Sequence, residues 1–245
     1  NWKRKPIKLL LQCISATKHS EHIIILPAHK GFKIFIPLFN CLKKKKNFKL
    51  HYVVIGGWIY SLVKDNKYMQ KELSKVDFIY LENNKPITQL HNIGLKNLYQ
   101  MNNFKDLSVS NYKSRKQKKE ITCCIFSRIE EKKGISNAIN VVKRINSTGN
   151  NKINLDIYGP ILEDYKNTFE KLLNGEKNIK YIGQIDSTRS VETIEKYDLL
   201  LFPTLYYTEG IPGTIIDSFF SGVPVLASKW ENYDEIMEEN VTGFS

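Results

Sequence analysis

Five short apolar runs punctuate the second half of this chain, and four of them are followed by a polar loop and a segment of helical pattern. The runs are Ile121–Ser127, Ile153–Gly159, Asn178–Gln184, Tyr197–Pro203 and Val223–Ser228, and helices are expected over Gly134–Ser147, Asp164–Leu173, Arg189–Lys196 and Pro212–Phe220. Strand and helix in strict alternation argue for a parallel sheet covered on both faces. Ligands of such open sheets bind in the crevice beyond the carboxyl ends of the strands. The loops that follow the strands are therefore where chemistry is to be sought.

The first half repeats the alternation more loosely. Strands are expected over His22–His29, His51–Gly57 and Lys75–Glu82, with a fourth over Lys96–Phe104, and helical stretches over Lys64–Ser74 and Pro86–Asn92. Ser108–Glu120, SVSNYKSRKQKKE, is polar, charged and nearly free of large aliphatic residues, as a link between domains would be. The expected division is an α/β domain over residues 1–110, a linker over 111–120 and a second α/β domain over 121–245. Charge divides the same way: residues 1–119 carry 24 Lys and Arg against 6 Asp and Glu, and residues 120–245 carry 13 against 19. At 245 residues and 42% hydrophobic, the chain has enough apolar side chain to fill two cores.

Several classes are set aside. Cys13, Cys41, Cys123 and Cys124 show neither a C-x-x-C pair nor the spacing of a secreted disulfide framework, and are expected to be buried free thiols of a reducing compartment. The most apolar window, Ile23–Leu42, is broken by His29, Lys30 and Lys33, so no membrane span is expected. No nucleic-acid recognition module is visible despite the net charge of +12. GFKIFIPLFNCL, running into Lys43–Lys46, leaves two readings open: a core helix with a solvated lysine-rich end, or an apolar face on an anionic membrane. The chain opens on Asn and closes on VTGFS, a turn that normally leads into another element, so the first domain is expected to be incomplete and the second truncated.

Two loops carry charge where a ligand would sit. In Ser127–Gly134, Arg128 and Lys133 stand five apart on a loop returning into a helix, and two cations there suit a diphosphate. The bland reading is a solvated turn eased by Gly134. In Phe202–Ser228, Glu209 and Gly210 precede a helix opened by Pro212 and Gly213, with Thr214 next and Asp217 inside an otherwise apolar face. Free N–H groups at a helix start suit phosphate, and neighbouring carboxylates suit the hydroxyls of ribose or hexose.

Arg128 and Lys133 in a loop ending KG, then FPT, the pair Glu209–Gly210, an acidic residue eight positions after Glu209, GVPV and a following acidic segment resemble the retaining glycosyltransferases of family 4, the group 1 type. That family has two Rossmann-like domains facing across a cleft, the GT-B architecture. The match covers Ile121–Ser245 in order and spacing, while the first half agrees mainly in layout. The resemblance implies a hexosyltransferase working with a UDP-, GDP- or ADP-sugar donor, no metal and no further cofactor. Its acceptor would be a saccharide or lipid-linked saccharide in bacterial capsule or lipopolysaccharide assembly, at the cytoplasmic side of the inner membrane. Arg128 and Lys133 would hold the diphosphate with N–H groups near Gly213 and Thr214. Glu209 would contact hydroxyls of the transferred sugar, Asp217 would grip the ribose, and Tyr158–Pro160 (with Gly159) and Tyr181–Gly183 (with Ile182) would lie near the base. Glu209, Arg128 and Lys133 would thus be the catalytic group.

Three departures stand out. Asp217 occupies a position usually held by Glu and reaches one methylene less far. No glycine-rich loop precedes Ile23. Where many members carry a His after the strand here reading HYVVIGG, this chain has Gly56 and Gly57, and His29 is the nearer candidate. Two rival readings remain: a nucleotide-sugar epimerase of related fold, and a noncatalytic nucleotide-sugar-binding partner subunit.

Overall fold

The computed structural model of the chain describes residues 5–107, 109, 120–149 and 152–245. The described residues fall into two compact units: Asn1–Asn102 with Thr208–Ile211, and Asn103–Tyr207 with Pro212–Ser245. Of the expected linker, residues 111–120, all but Glu120 lie outside the described residues.

Unit 1 runs α1 (Pro6–Ala16), β1 (His22–Ile25), α2 (His29–Lys43), β2 (Lys49–Val54), α3 (Ile59–Val63), α4 (Lys67–Leu73), β3 (Phe78–Leu81), α5 (Asn84–Asn92) and β4 (Leu98–Gln100). Its strands pair in parallel in the order β1-β2-β3-β4. Along β2 the two-residue period buries Leu50, Tyr52 and Val54, which meet Ile79 and Leu81 of β3. The expected strand His22–His29 stops at Ile25, and His29 instead opens α2. The stretch Lys64–Ser74 is not one helix: Asn66 ends the preceding turn, and its Oδ1 accepts the N–H of Met69 at 3.0 Å, capping α4.

Phe32, Ile36 and Phe39 place the apolar face of α2 in the core of unit 1, and the ammonium of Lys43 pairs with Asp77 and donates to the Lys75 carbonyl at 3.1 Å. Of the two readings of GFKIFIPLFNCL, the core helix is the one this packing supports. No helix among the described residues is long and apolar enough to cross a membrane.

Unit 2 runs β5 (Glu120–Phe126), α6 (Ile135–Thr148), β6 (Lys152–Tyr158), α7 (Lys166–Leu173), β7 (Ile179–Gly183), α8 (Ser190–Ile194), β8 (Leu199–Phe202), α9 (Gly213–Phe220), β9 (Val225–Ala227) and β10 (Gly243–Phe244). All pairings are parallel, in the order β10-β9-β8-β5-β6-β7. All five expected strands are present, and the closing VTGFS supplies β10. Adjacent Cys123 and Cys124 face opposite sides of β5. Cys123 packs with Ile125, Ile139 and Leu155, and Cys124 with Leu200, Ile215 and Val225. Burial, with Asp198 nearby, pushes the Cys123 thiol up to about 12, an inert value. Cys41, by contrast, is exposed and Cys13 half-buried, so burial does not hold for all four thiols.

The strand order of unit 2 decides where a ligand can sit. From β5 the chain steps outward through β6 and β7, then returns to the other side of β5 with β8, β9 and β10. Connections leave the neighbours β5 and β8 in opposite directions, which opens a crevice at their carboxyl ends.

Candidate functional site

The two loops beside that crevice are fastened to each other. After β5 come Ser127 and Arg128, a 3-10 turn over Glu131–Lys133, and Gly134, which opens α6. After β8 comes Pro203. Gly134 has φ +69°, and a Cβ there would overlap the carbonyl oxygen of Pro203, so only glycine lets the loops close on each other. The Leu205 N–H donates to the Lys132 carbonyl at 2.8 Å, and the Tyr206 hydroxyl donates to Glu130 at 3.0 Å.

These loops hold the two expected cations. Arg128, its side chain 58% exposed, lies 3.3 Å from a carboxylate oxygen of Glu130. The Lys133 ammonium sits 4.8 Å from the centre of the Tyr206 ring and 5.8 Å from that of Phe202, so aromatic faces steer it.

Pro212 caps α9 from extended backbone, and the Thr214 hydroxyl donates to the Phe126 carbonyl at 3.0 Å, pinning the first turn of α9 to the end of β5. The N–H groups of Gly213 and Thr214, at the head of the helix, lie beyond the reach of intrahelical bonding. Three residues on, Asp217 is 4% exposed, and both of its carboxylate oxygens are met by Lys105.

The remaining expected residues line the carboxyl ends of β6 and β7. The Gly159 N–H donates to the Gly183 carbonyl at 2.9 Å, and the Tyr181 hydroxyl donates to the Gly159 carbonyl at 2.8 Å. The β6–β7 register slips after Ile157, leaving Ile182 as the bulged residue, half exposed. Tyr158 turns inward instead: its ring stacks on Phe126, and its hydroxyl meets that of Tyr197, which donates to Asp156 at 2.7 Å. It offers the site backbone only. Arg128, Lys133 and Gly159 on loops, Tyr181–Gly183 at the end of β7, and Gly213, Thr214 and Asp217 in the first five residues of α9 are thus all borne by unit 2, at or after the carboxyl ends of its strands.

Glu209 and Gly210 belong to unit 1, where a residue not expected from the sequence is prominent. Glu82, just past β3, accepts the N–H of Gly56 at 3.2 Å and of Ile211 at 3.1 Å with one carboxylate oxygen. A Cβ on Gly210 would overlap that oxygen. Burial first, and then the charge of Glu209, raises the Glu82 carboxyl despite the two N–H donors. His29 is exposed and lies against Trp58, ring centres 4.3 Å apart, which leaves it a surface aromatic contact. Glu82 was signalled only by its position at the carboxyl end of a strand, and Lys105 by nothing in its neighbourhood. Among the described residues no group of three His, Cys, Asp or Glu is placed to hold a metal ion.

The family model described as "Glycosyl transferases group 1" matches residues 108–245. No curated protein matches this sequence. Among solved structures, a mutant of S. aureus TarM in complex with Fondaparinux, alpha-GlcNAc-glycerol and UDP is 20% identical, with a TM-score of 0.74 over 96% of this chain and 48% of that one. HepE of Anabaena in complex with UDP-glucose is 15% identical, with a TM-score of 0.72 over 96% of this chain and 67% of that one. The pneumococcal O-GlcNAc transferase GtfA in complex with UDP and GlcNAc is 15% identical, with a TM-score of 0.72 over 95% and 47%. This chain therefore has the fold of two Rossmann-like α/β domains, GT-B-like, and spans about half the length of TarM and GtfA.

Proposed function

Because the chain belongs to the glycosyl transferases group 1 family, we propose that it is a retaining hexosyltransferase acting from a nucleotide-sugar donor on a saccharide or lipid-linked saccharide acceptor, in assembly of a bacterial surface polysaccharide. The observation that supports this reading is the crevice of unit 2 at its switch point, where the loop bearing Arg128 and Lys133 follows β5 and the first turn of α9 is tied to the end of that strand. UDP is the nucleotide proposed first, since the TarM, HepE and GtfA complexes contain UDP or UDP-glucose.

In this reading Arg128 and Lys133 hold the diphosphate beside the N–H groups of Gly213 and Thr214. As the bond between the anomeric carbon and the phosphate oxygen breaks, negative charge builds on the leaving diphosphate. Cations and dipoles already fixed by the fastened loops stabilise that charge without reorganising. The leaving phosphate guides the acceptor hydroxyl onto the face it departs from, which preserves the anomeric configuration. Asp217 accepts ribose hydroxyls, and the base lies against Gly159 and Tyr181–Gly183. For Glu209 the role toward the hydroxyls of the transferred sugar rests on the family resemblance, with Gly210 and Pro212 shaping its loop. Work at the cytoplasmic face of the inner membrane belongs to the same proposal. Contact with lipid would come through a lipid-linked acceptor, since the apolar face of α2 is buried.

Isothermal titration of the chain with UDP-, GDP- and ADP-sugars tests the reading. Saturable binding of one nucleotide class is expected, weakened about tenfold or more by Arg128→Ala, whose exposed side chain can be removed without unfolding the domain. A folded sample that binds none of them refutes the donor site. Binding without transfer to any acceptor, by a chain extended to the length of its relatives, favours the noncatalytic partner subunit.

A further inference from the structure

Asp217 does not meet the crevice as a bare carboxylate. Lys105 reaches it from a point 112 residues earlier, and its ammonium lies 2.5 Å from Oδ1 and 2.6 Å from Oδ2. Both residues belong to unit 2. The lysine side chain is 29% exposed and the aspartate side chain 6%. On its way the lysine crosses the start of α9, with Cε 3.0 Å and Nζ 3.4 Å from the point a Cβ on Gly213 would occupy. The ammonium therefore stands between a buried carboxylate and the helix turn whose N–H groups are open.

Neutralising Asp217 accounts for the pair but not for that placement. An ammonium has three N–H donors, and two contacts are spent on Asp217. The third has no acceptor among the described residues. A carboxylate has about four acceptor directions, so Asp217 keeps capacity for hydroxyl donors while it holds the lysine. The shortness of Asp217 suits this arrangement, because a carboxylate kept close to α9 draws the ammonium down over Gly213.

We infer that Lys105 is a third cation of the donor site, oriented by Asp217 so that its remaining N–H meets a phosphate oxygen of a nucleoside diphosphate at the start of α9. The inference rests on the reading that the crevice of unit 2 takes a nucleotide-activated donor. It makes Asp217 a residue with two tasks, accepting ribose hydroxyls and positioning Lys105. It also gives Gly213 a reason beyond the helix start, since a side chain there would push the ammonium aside.

The test is titration of the whole chain with uridine, UMP and UDP, which share base and ribose and differ in phosphate. Lys105→Met should weaken UDP by about tenfold to a hundredfold and leave uridine unchanged. The gap between wild type and variant should narrow as salt rises, as a charge contact requires. Lys105→Arg, which keeps the charge, should recover part of the loss. Because Lys105→Met leaves Asp217 buried without a partner, the double variant Lys105→Met with Asp217→Asn serves as the control that folds with neither charge. It should lose the gain in affinity from UMP to UDP. If wild type binds UDP more tightly than uridine and both the single and double variants keep that ratio, Lys105 has no part in the site. If wild type binds none of the three, the donor-site reading falls and this inference with it.

Discussion

Glu82 illustrates how a single partly buried carboxyl ties chemistry to stability in this chain. Its folded form disfavours the charge, so the folded state keeps a proton that the unfolded chain has released. Stability contributed at this position is therefore highest below the ordinary value of 4.5 and declines as pH rises through the window up to the raised folded value. Glu82→Gln keeps an acceptor for the Gly56 and Ile211 N–H groups and removes the charge. Its melting temperature relative to wild type should climb across that window and level off above it, and a difference that is flat with pH would refute the account. At this scale the sequence was legible where a residue's place is set by its own neighbours: Arg128, Lys133, Gly159, Gly183 and Gly213 all sit at or beside strand ends or helix starts that the flanking residues reveal. It was illegible where partners meet across long separations. Lys105 with Asp217 and Glu82 with Ile211 are 112 and 129 residues apart, and nothing in a local pattern encodes such pairs.

Among the elements, α9 does most to position the candidate site. Its first turn is tied to β5 by the bond from Thr214 to the Phe126 carbonyl, so the N–H groups at its head are fixed relative to the loop bearing Arg128. Thr214→Val keeps the side-chain shape and loses the bond. Chemical denaturation should show a loss of about 1 kcal/mol, and titration should show weaker UDP binding; an unchanged affinity would mean that the first turn needs no such anchor. Strands β5 to β9 lie within two residues of where the apolar runs placed them, because each is bounded by a charged loop or a glycine. Helix α1 and the break between α3 and α4 were missed. No residue of α1 is fully buried, its Cys13 packing only partly against the core of unit 1, and the break depends on one Asn side chain capping the next helix.

On the scale of the whole molecule, each hydrophobic core is confined to one unit. Ile36 belongs to the core of unit 1 and Ile139 to that of unit 2, and both are fully buried. Ile36→Ala and Ile139→Ala should each cost about 2–5 kcal/mol, and in a calorimetric scan each should lower a different transition. On the proposed binding of UDP in unit 2, the nucleotide should raise only the transition that Ile139→Ala lowers. A single transition displaced equally by both variants would contradict independent cores. The contrast in charge between the halves foretold two units, but not that Thr208–Ile211 would group with the first, because a four-residue excursion leaves no mark in composition.

The central claim is that the crevice at the switch point of unit 2 is where the nucleotide binds. The most direct measurement is amide chemical-shift mapping of the isotope-labelled chain during titration with UDP. The account predicts saturable shifts concentrated at Ser127–Arg128, Gly159, Gly183 and Gly213–Thr214, with Lys105 following the same curve. Saturable shifts that leave these amides untouched and cluster elsewhere in the chain would contradict it.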